Sequence, residues 1–212
     1  MQNILRSLIL FLPLPCFLLG QTWEVGAVGG YGFTRDVSVT SGSTTGKTGF
    51  SPGYTFGGLL GNEMSRHFGG EIRYTYQADD MRVSSGSTEA KSSARSQALH
   101  YDVLIHATSR ESAIRPFLAV GGGVKFYQGT GAEPAYQPLS NLVVLTRTSE
   151  AQPLISVGGG VKFAVTKRAL LRFDFRDYAT PIPTNLLATP ANSKMNGWMH
   201  DFVFLVGVST TF

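Results

Sequence analysis

The final stretch of the chain alternates strictly. Phe202, Phe204, Val206 and Val208 fall on one face, and Asp201, Val203, Leu205, Gly207 and Ser209 on the other. A two-residue period marks a strand, because successive side chains point to opposite sides of the pleat. One face here is wholly apolar, the other is mixed, and the stretch ends on an aromatic, Phe212. That pattern suits a strand with lipid on one side and a small, partly polar interior on the other.

Seven earlier segments read the same way. Residues 23–33 set Trp23, Val25, Ala27, Tyr31 and Phe33 against Glu24, and residues 54–61 give Tyr54, Phe56 and Leu60 on one face. Residues 68–77 set Phe68, Ile72, Tyr74 and Tyr76 against Glu71 and Arg73; residues 97–107 set Leu99, Tyr101, Val103 and Ile105 against His100, Asp102 and His106. Residues 116–126 and 153–163 are near-copies carrying Gly-Gly-Gly-Val-Lys-Phe, with Lys125 and Lys162 opposite the apolar face. In residues 169–178, Leu171, Phe173 and Phe175 alternate with Arg172, Asp174 and Arg176. The triple glycines lack the G-x-x-x-x-G-K-[ST] spacing of a phosphate loop. In a strand they mark a bend or a close backbone approach.

The gaps between segments take two sizes. Connections 62–67, 108–114 and 166–168 are short, whereas 34–53, 78–96, 128–152 and 179–197 are long and rich in Ser, Thr and Gly. Short–long alternation with an even number of strands is expected of an all-β, eight-stranded antiparallel up-and-down transmembrane barrel, with tight periplasmic turns and long extracellular loops. Backbone groups in hydrocarbon must all be paired, so the last strand is expected to close onto the first.

With that parity the interior collects Glu24, Glu71, Asp102, Asp174 and Asp201 against Arg73, Lys125, Lys162, Arg172 and Arg176. Charges in a narrow lumen are tolerable only when paired. The levels along the strands predict the pairs Arg73–Asp102 and Arg176–Asp201. Aromatics are expected in two interfacial girdles: Tyr31, Phe33, Tyr54, Tyr74, Tyr76, Tyr101 and Trp198 near the long loops, and Trp23, Phe68 and Phe212 near the turns.

Composition sharpens this reading. Among 212 residues there are 25 glycines, and 18 Lys+Arg against 14 Asp+Glu give a formal charge of +4, too small an excess to indicate nucleic acid. Residues 1–20, with Arg6 before an apolar core from Leu8 to Leu19, read as a secretory signal, leaving residues 21–212 as the barrel. The one cysteine, Cys16, lies within that segment, so no disulfide is expected. His100, Asp102 and His106 share a face, but positions six apart on a strand are separated by roughly 20 Å, so no metal site is expected. No G-x-S-x-G or other nucleophile setting is present, so neither catalytic residues nor a cofactor are predicted.

The Tyr-Thr-Phe-Gly-Gly segment from Tyr54, the Phe68-Gly-Gly-Glu-Ile-Arg-Tyr-Thr-Tyr strand, the Arg115-Pro116-Phe117-Leu118-Ala119-Val120-Gly121-Gly122-Gly123 strand and the terminal Gly207 to Phe212 together resemble the small outer-membrane β-barrel proteins of the OmpA/OmpX type. The resemblance implies export to the bacterial outer membrane and a monomer embedded in outer-membrane lipids and lipopolysaccharide. It also implies contact with periplasmic chaperones and the barrel-assembly machinery, with Gly207 and Phe212 as the assembly signal; Thr210 stands where that family carries a penultimate aromatic. The function expected is non-enzymatic: four long loops presented for surface contact or envelope integrity over a lumen filled by ion pairs, with the loop ligand unspecified. The alternatives are a narrow, low-conductance pore or a lipid-modifying outer-membrane enzyme.

Overall fold

The computed structural model describes residues 22–132 and 136–212; the signal expected over residues 1–20 lies outside them. Among the described residues thirteen strands follow in order: β1 (Thr22–Thr34), β2 (Val37–Ser41), β3 (Thr44–Phe50), β4 (Gly53–Glu63), β5 (Phe68–Ser85), β6 (Thr88–His106), β7 (Ile114–Gly129), β8 (Val144–Leu145), β9 (Ser149–Ala164), β10 (Ala169–Pro181), β11 (Leu187–Ala188), β12 (Ser193–Met195) and β13 (Trp198–Thr211).

Eight of them make a closed antiparallel ring in the order β1, β4, β5, β6, β7, β9, β10, β13. The seam between β13 and β1 runs from Glu24 opposite Thr211 to Thr34 opposite Asp201. At its end Trp23 and Phe212 exchange two backbone hydrogen bonds of 3.0 Å. Closure leaves no free edge for hydrocarbon to desolvate. The outward parity is mostly apolar: Leu118, Val120, Phe204, Val206 and Val208 are each at least half exposed.

At the loop end Tyr31 and Tyr54 meet edge to face at 5.5 Å, and Phe33 packs on Phe202 at 5.3 Å. Tyr101 does not belong to this girdle. It lies opposite Ile72 in the β5–β6 register and leans over Gly70, so that a Cβ at Gly70 would sit 2.0 Å from its hydroxyl. It shares an outer groove with Trp23, Asn62 and Met64 at the turn end. Because β6 descends toward the turn, Tyr101 lies lower than its place in the apolar run suggests.

The second long connection is also not a loop. β5 and β6 are 18 and 19 residues long, about 60 Å at the rise of a strand, whereas the hydrocarbon is roughly 30 Å thick. They continue past the membrane zone to a two-residue turn at Gly86-Ser87. β2 and β3 form a second such hairpin at Gly42-Ser43, and β3 pairs with the upper part of β5, from Lys47 opposite Ser84 to Phe50 opposite Met81. Both turns use the same Ser-Gly-Ser-Thr string, with Gly42 and Gly86 at φ +58°. Positive φ at the first central residue is the geometry that matches the twist of a hairpin. β12 pairs with β2, and β8 with β11.

Together these connections build a cap over the loop end. Its buried apolar core takes Val37, Val39 and Phe50 from the first connection, Met81, Val83, Ala90 and Ala94 from the extended hairpin, Leu142, Val143 and Leu145 from the third connection, and Ile182, Leu186 and Leu187 from the fourth. Phe50 stacks on Tyr127 at 5.2 Å, joining the cap to the top of the barrel.

Candidate functional site

The lumen is the site the fold creates. Glu24, Glu71, Asp102, Asp174, Asp201, Arg73, Lys125, Lys162, Arg172 and Arg176 all point into it and are almost wholly buried, none being more than 4% exposed. Arg172 is the hub. One guanidinium reaches three carboxylates: Glu24 at 2.8 Å, Glu71 at 2.8 Å and Asp174 at 3.2 Å. Lys162 donates to Glu24 at 2.5 Å, and Ser209 donates to the same carboxylate at 2.7 Å. Arg73 binds Glu71 at 2.6 Å and Asp174 at 3.3 Å. Arg176 binds Asp102 at 3.2 Å and Asp174 at 3.5 Å. Buried charges become tolerable when each meets opposite charge, as here, although Arg73 Nη1 and Arg176 Nη2 make no hydrogen bond among the described residues.

Neither predicted cross-strand pair forms. In register Arg73 faces His100, and Glu71 faces Asp102; Arg176 faces Val203, and Asp201 faces Tyr178. Long side chains in a barrel this narrow reach two residues along their own strand, as Arg73 does to Glu71 and Arg172 to Asp174, and across the axis, rather than to the neighbouring strand at the same level. Arg73 of β5 thus meets Asp174 of β10, Arg176 of β10 meets Asp102 of β6, and Asp201 is taken by Lys125 of β7.

Above the hub, His100 is held by Asp102 at 3.0 Å and Tyr178 at 3.1 Å. Gln77 bridges Asp79 at 3.2 Å and Asp201 at 3.3 Å, and Tyr127 bonds Thr180 at 2.8 Å just below the cap. Below the hub sits an apolar member, Phe117. Its ring centroid is 5.7 Å from the Lys162 ammonium and 5.8 and 5.5 Å from the Arg172 and Arg176 guanidinium carbons, distances at which cations are drawn to a ring face. The glycine triplets make this packing possible. A Cβ at Gly123 would stand 2.6 Å from His100 Cβ, and one at Gly160 would stand 2.8 Å from Phe117 Cζ.

Sequence reasoning missed the lowest pair, Glu63 with Arg115, both buried and bonded to each other. They lie just beyond the segments drawn from the apolar runs; carrying the alternation two residues past Gly61 and one before Pro116 finds both. Asp79 was missed for the same reason, since β5 does not stop at Gln77. On the outer wall, half-buried His200 bonds Asp177 at 2.9 Å. Gly207 faces inward, where a Cβ would meet Val28 Cγ1 at 2.7 Å, while Phe212 lies exposed at the seam. Trp198 and Tyr54 are exposed at the loop end, and Tyr76 packs on Phe56 at 5.0 Å, whereas Tyr74, opposite Gly58 and Leu99, is exposed at mid-height and not in the loop-end girdle.

A closed ring of eight strands, oily outside and ionic within, defines a transmembrane β-barrel. Residues 10–212 match the outer membrane protein beta-barrel domain, and the chain belongs to that family, whose members lie in the bacterial outer membrane. Among solved structures, Neisserial surface protein A is similar with a TM-score of 0.56 at 12% identity, covering 90% of this chain and 97% of that one. The N-terminal β-barrel domain of Pseudomonas aeruginosa OprF gives 0.45 at 13% identity, over 90% and 97% of the two chains. Ail of Yersinia pestis gives 0.47 at 10% identity, over 90% and 99%. No curated protein sequence matches the chain.

Proposed function

We propose that this chain is a sealed, non-enzymatic barrel of the outer membrane whose role is mechanical and adhesive: it stiffens the envelope and presents a folded cap at the cell surface. The observation that carries this reading is the occupied axis. Arg73, Arg172 and Arg176 are fully buried at mid-height, and Val39, Phe50, Met81 and Leu186 are fully buried above them. An ion would have to displace paired charge and then cross an apolar core. The cap's four contributions share one interior, so its surface is a fixed shape suited to recognition rather than a set of independent loops. The barrel works as a monomer among outer-membrane lipids and lipopolysaccharide, and Gly207 with Phe212 at the seam is the strand end offered to the assembly machinery.

Planar-bilayer recording tests the seal. Purified protein is expected to give no stepwise current, and a reproducible unitary conductance would replace this reading with the narrow pore. His100 has its partners in Asp102 and Tyr178, and it and His106 are buried in the lumen with no route to a lipid substrate. Among the described residues His200, with Asp177, is the histidine on the lipid-facing wall. Lipid A mass profiles are therefore expected to be the same with and without the protein; a mass change abolished by His200→Ala would establish an enzyme instead.

A further inference from the structure

Below Phe117 the turn end of the barrel opens into a cavity of about 530 Å³. Its floor is the Glu63–Arg115 pair, 8% and 3% exposed. Each of these side chains spends one part on the other and keeps one part unspent. Among the described residues Arg115 Nε finds no acceptor and Glu63 Oε2 finds no donor. Both residues line the cavity and pair with each other, so its floor presents one charge of each sign with hydrogen-bonding capacity beyond that pair, which suits a visiting polar group.

The walls and rim agree. Leu170 and Ala164 form a small apolar side, and Thr22, Thr166, Thr211 and Ser112 place hydroxyls around the opening. Arg110 and Lys167 stand on the rim; Arg110 is steadied by a 2.8 Å bond to Thr22 Oγ1 and lies 3.7 Å from Glu111. An adjoining hollow of about 250 Å³ shares Glu63, Arg110 and Glu111 and adds Arg66. Glu111, in the turn outside the spanning strands, is held below the usual carboxylate range by a hydrogen bond from Ser109 and counts as a charge. Four cations thus face two acids in a concave mouth, where low-dielectric walls focus the field. The strand residues of the floor and wall, Glu63, Arg115 and Leu170, face the barrel axis, so the opening serves water-borne solutes rather than the lipids around the outer wall.

We propose that this vestibule binds a small anion, a carboxylate or phosphate that also carries a hydroxyl or ammonium donor. The anionic oxygens lie against the Arg115 guanidinium and draw in Arg110 and Lys167, while the donor meets the Glu63 carboxylate. The volume falls within the usual range for small-molecule sites. The inference is independent of whether the lumen conducts.

The test is calorimetric titration of the folded full-length protein in detergent micelles at constant ionic strength. The probes are glycerol 3-phosphate, alanine, acetate and sodium chloride. Saturable binding of glycerol 3-phosphate or alanine, weaker binding of acetate and none of chloride is expected; which of the first two binds tighter identifies the source of the anion. Arg110→Glu with Lys167→Glu, both on the rim, should weaken binding about tenfold or more by placing like charge against the ligand. Lys47→Glu, at the far end, should leave it unchanged. Arg115→Gln should abolish binding while heat-modifiable gel mobility shows the barrel folded. No saturable heat with any probe overturns the proposal. So does binding that survives the rim substitutions, or an equal response to chloride, which would reveal charge screening only.

Discussion

Replacing Arg172 by Met is the sharpest test of the lumen. The substitution keeps the length and apolar stem of the side chain and deletes a guanidinium in contact with Glu24 at 2.8 Å, Glu71 at 2.8 Å and Asp174 at 3.2 Å. None of these carboxylates reaches water, being 0–4% exposed, so solvent does not replace what is lost. Glu24 retains Lys162, and Glu71 and Asp174 retain Arg73, which bounds the damage to a net charge of one rather than three bare acids. Breaking a buried pair from one side costs about 3–5 kcal/mol, or roughly two to four decades in the folding equilibrium at 1.4 kcal/mol per decade. Urea titration of the barrel in phospholipid vesicles, followed by emission from its two tryptophans, measures this directly. The combined Arg172→Met/Glu71→Gln protein removes one charge of each sign and is expected to lose less than the sum of the single changes, with a coupling of about 1 kcal/mol or more. Arg172→Lys should fall between, because an ammonium cannot serve three carboxylates as a planar fork does. A loss below about 1 kcal/mol in Arg172→Met, or strict additivity in the double change, would show that the column is a set of independent charges and that the packing argument fails.

Two further outcomes follow from particular contacts. Gly160→Val should destabilise by about 1–3 kcal/mol through overpacking, because its Cβ would stand 2.8 Å from the Phe117 ring, whereas Gly29→Val, with nothing nearer than Thr55 O at 4.0 Å, should be neutral in the same urea titration. Phe50→Ala removes a fully buried ring stacked on Tyr127 and should cost the cap about 3–5 kcal/mol. Protease added outside intact cells should then cut the cap while heat-modifiable mobility shows the barrel whole; equal resistance to protease would mean the cap core is not cooperative.

The ring was readable from the sequence because its physics is local. Lipid on one side forces every second side chain to be apolar, so parity at Phe202, Leu118 or Phe173 also places Asp201, Lys125 and Arg172 inside. Partnership is not local. Arg73 and Asp174 meet across the axis from strands that are not neighbours, and no register argument along one sheet face contains that distance. The cap escaped for another reason. Its apolar residues, such as Val37, Val39, Met81 and Val83, are thinly spread among Ser and Thr, and only the assembly of four connections makes them a core. Glu63 and Arg115 escaped because strand ends were drawn where hydrophobicity fades, whereas the pairing continues.

Val37 follows the first strand and Met199 belongs to the last, yet both lie in the same oily interior of the cap. That interior is complete only when residues from both ends of the barrel have been brought to the same side of it. A half-inserted molecule therefore shows sticky residues on the far side, and a finished one hides them. Ring and lid are therefore one structure, joined where Phe50 stacks on Tyr127.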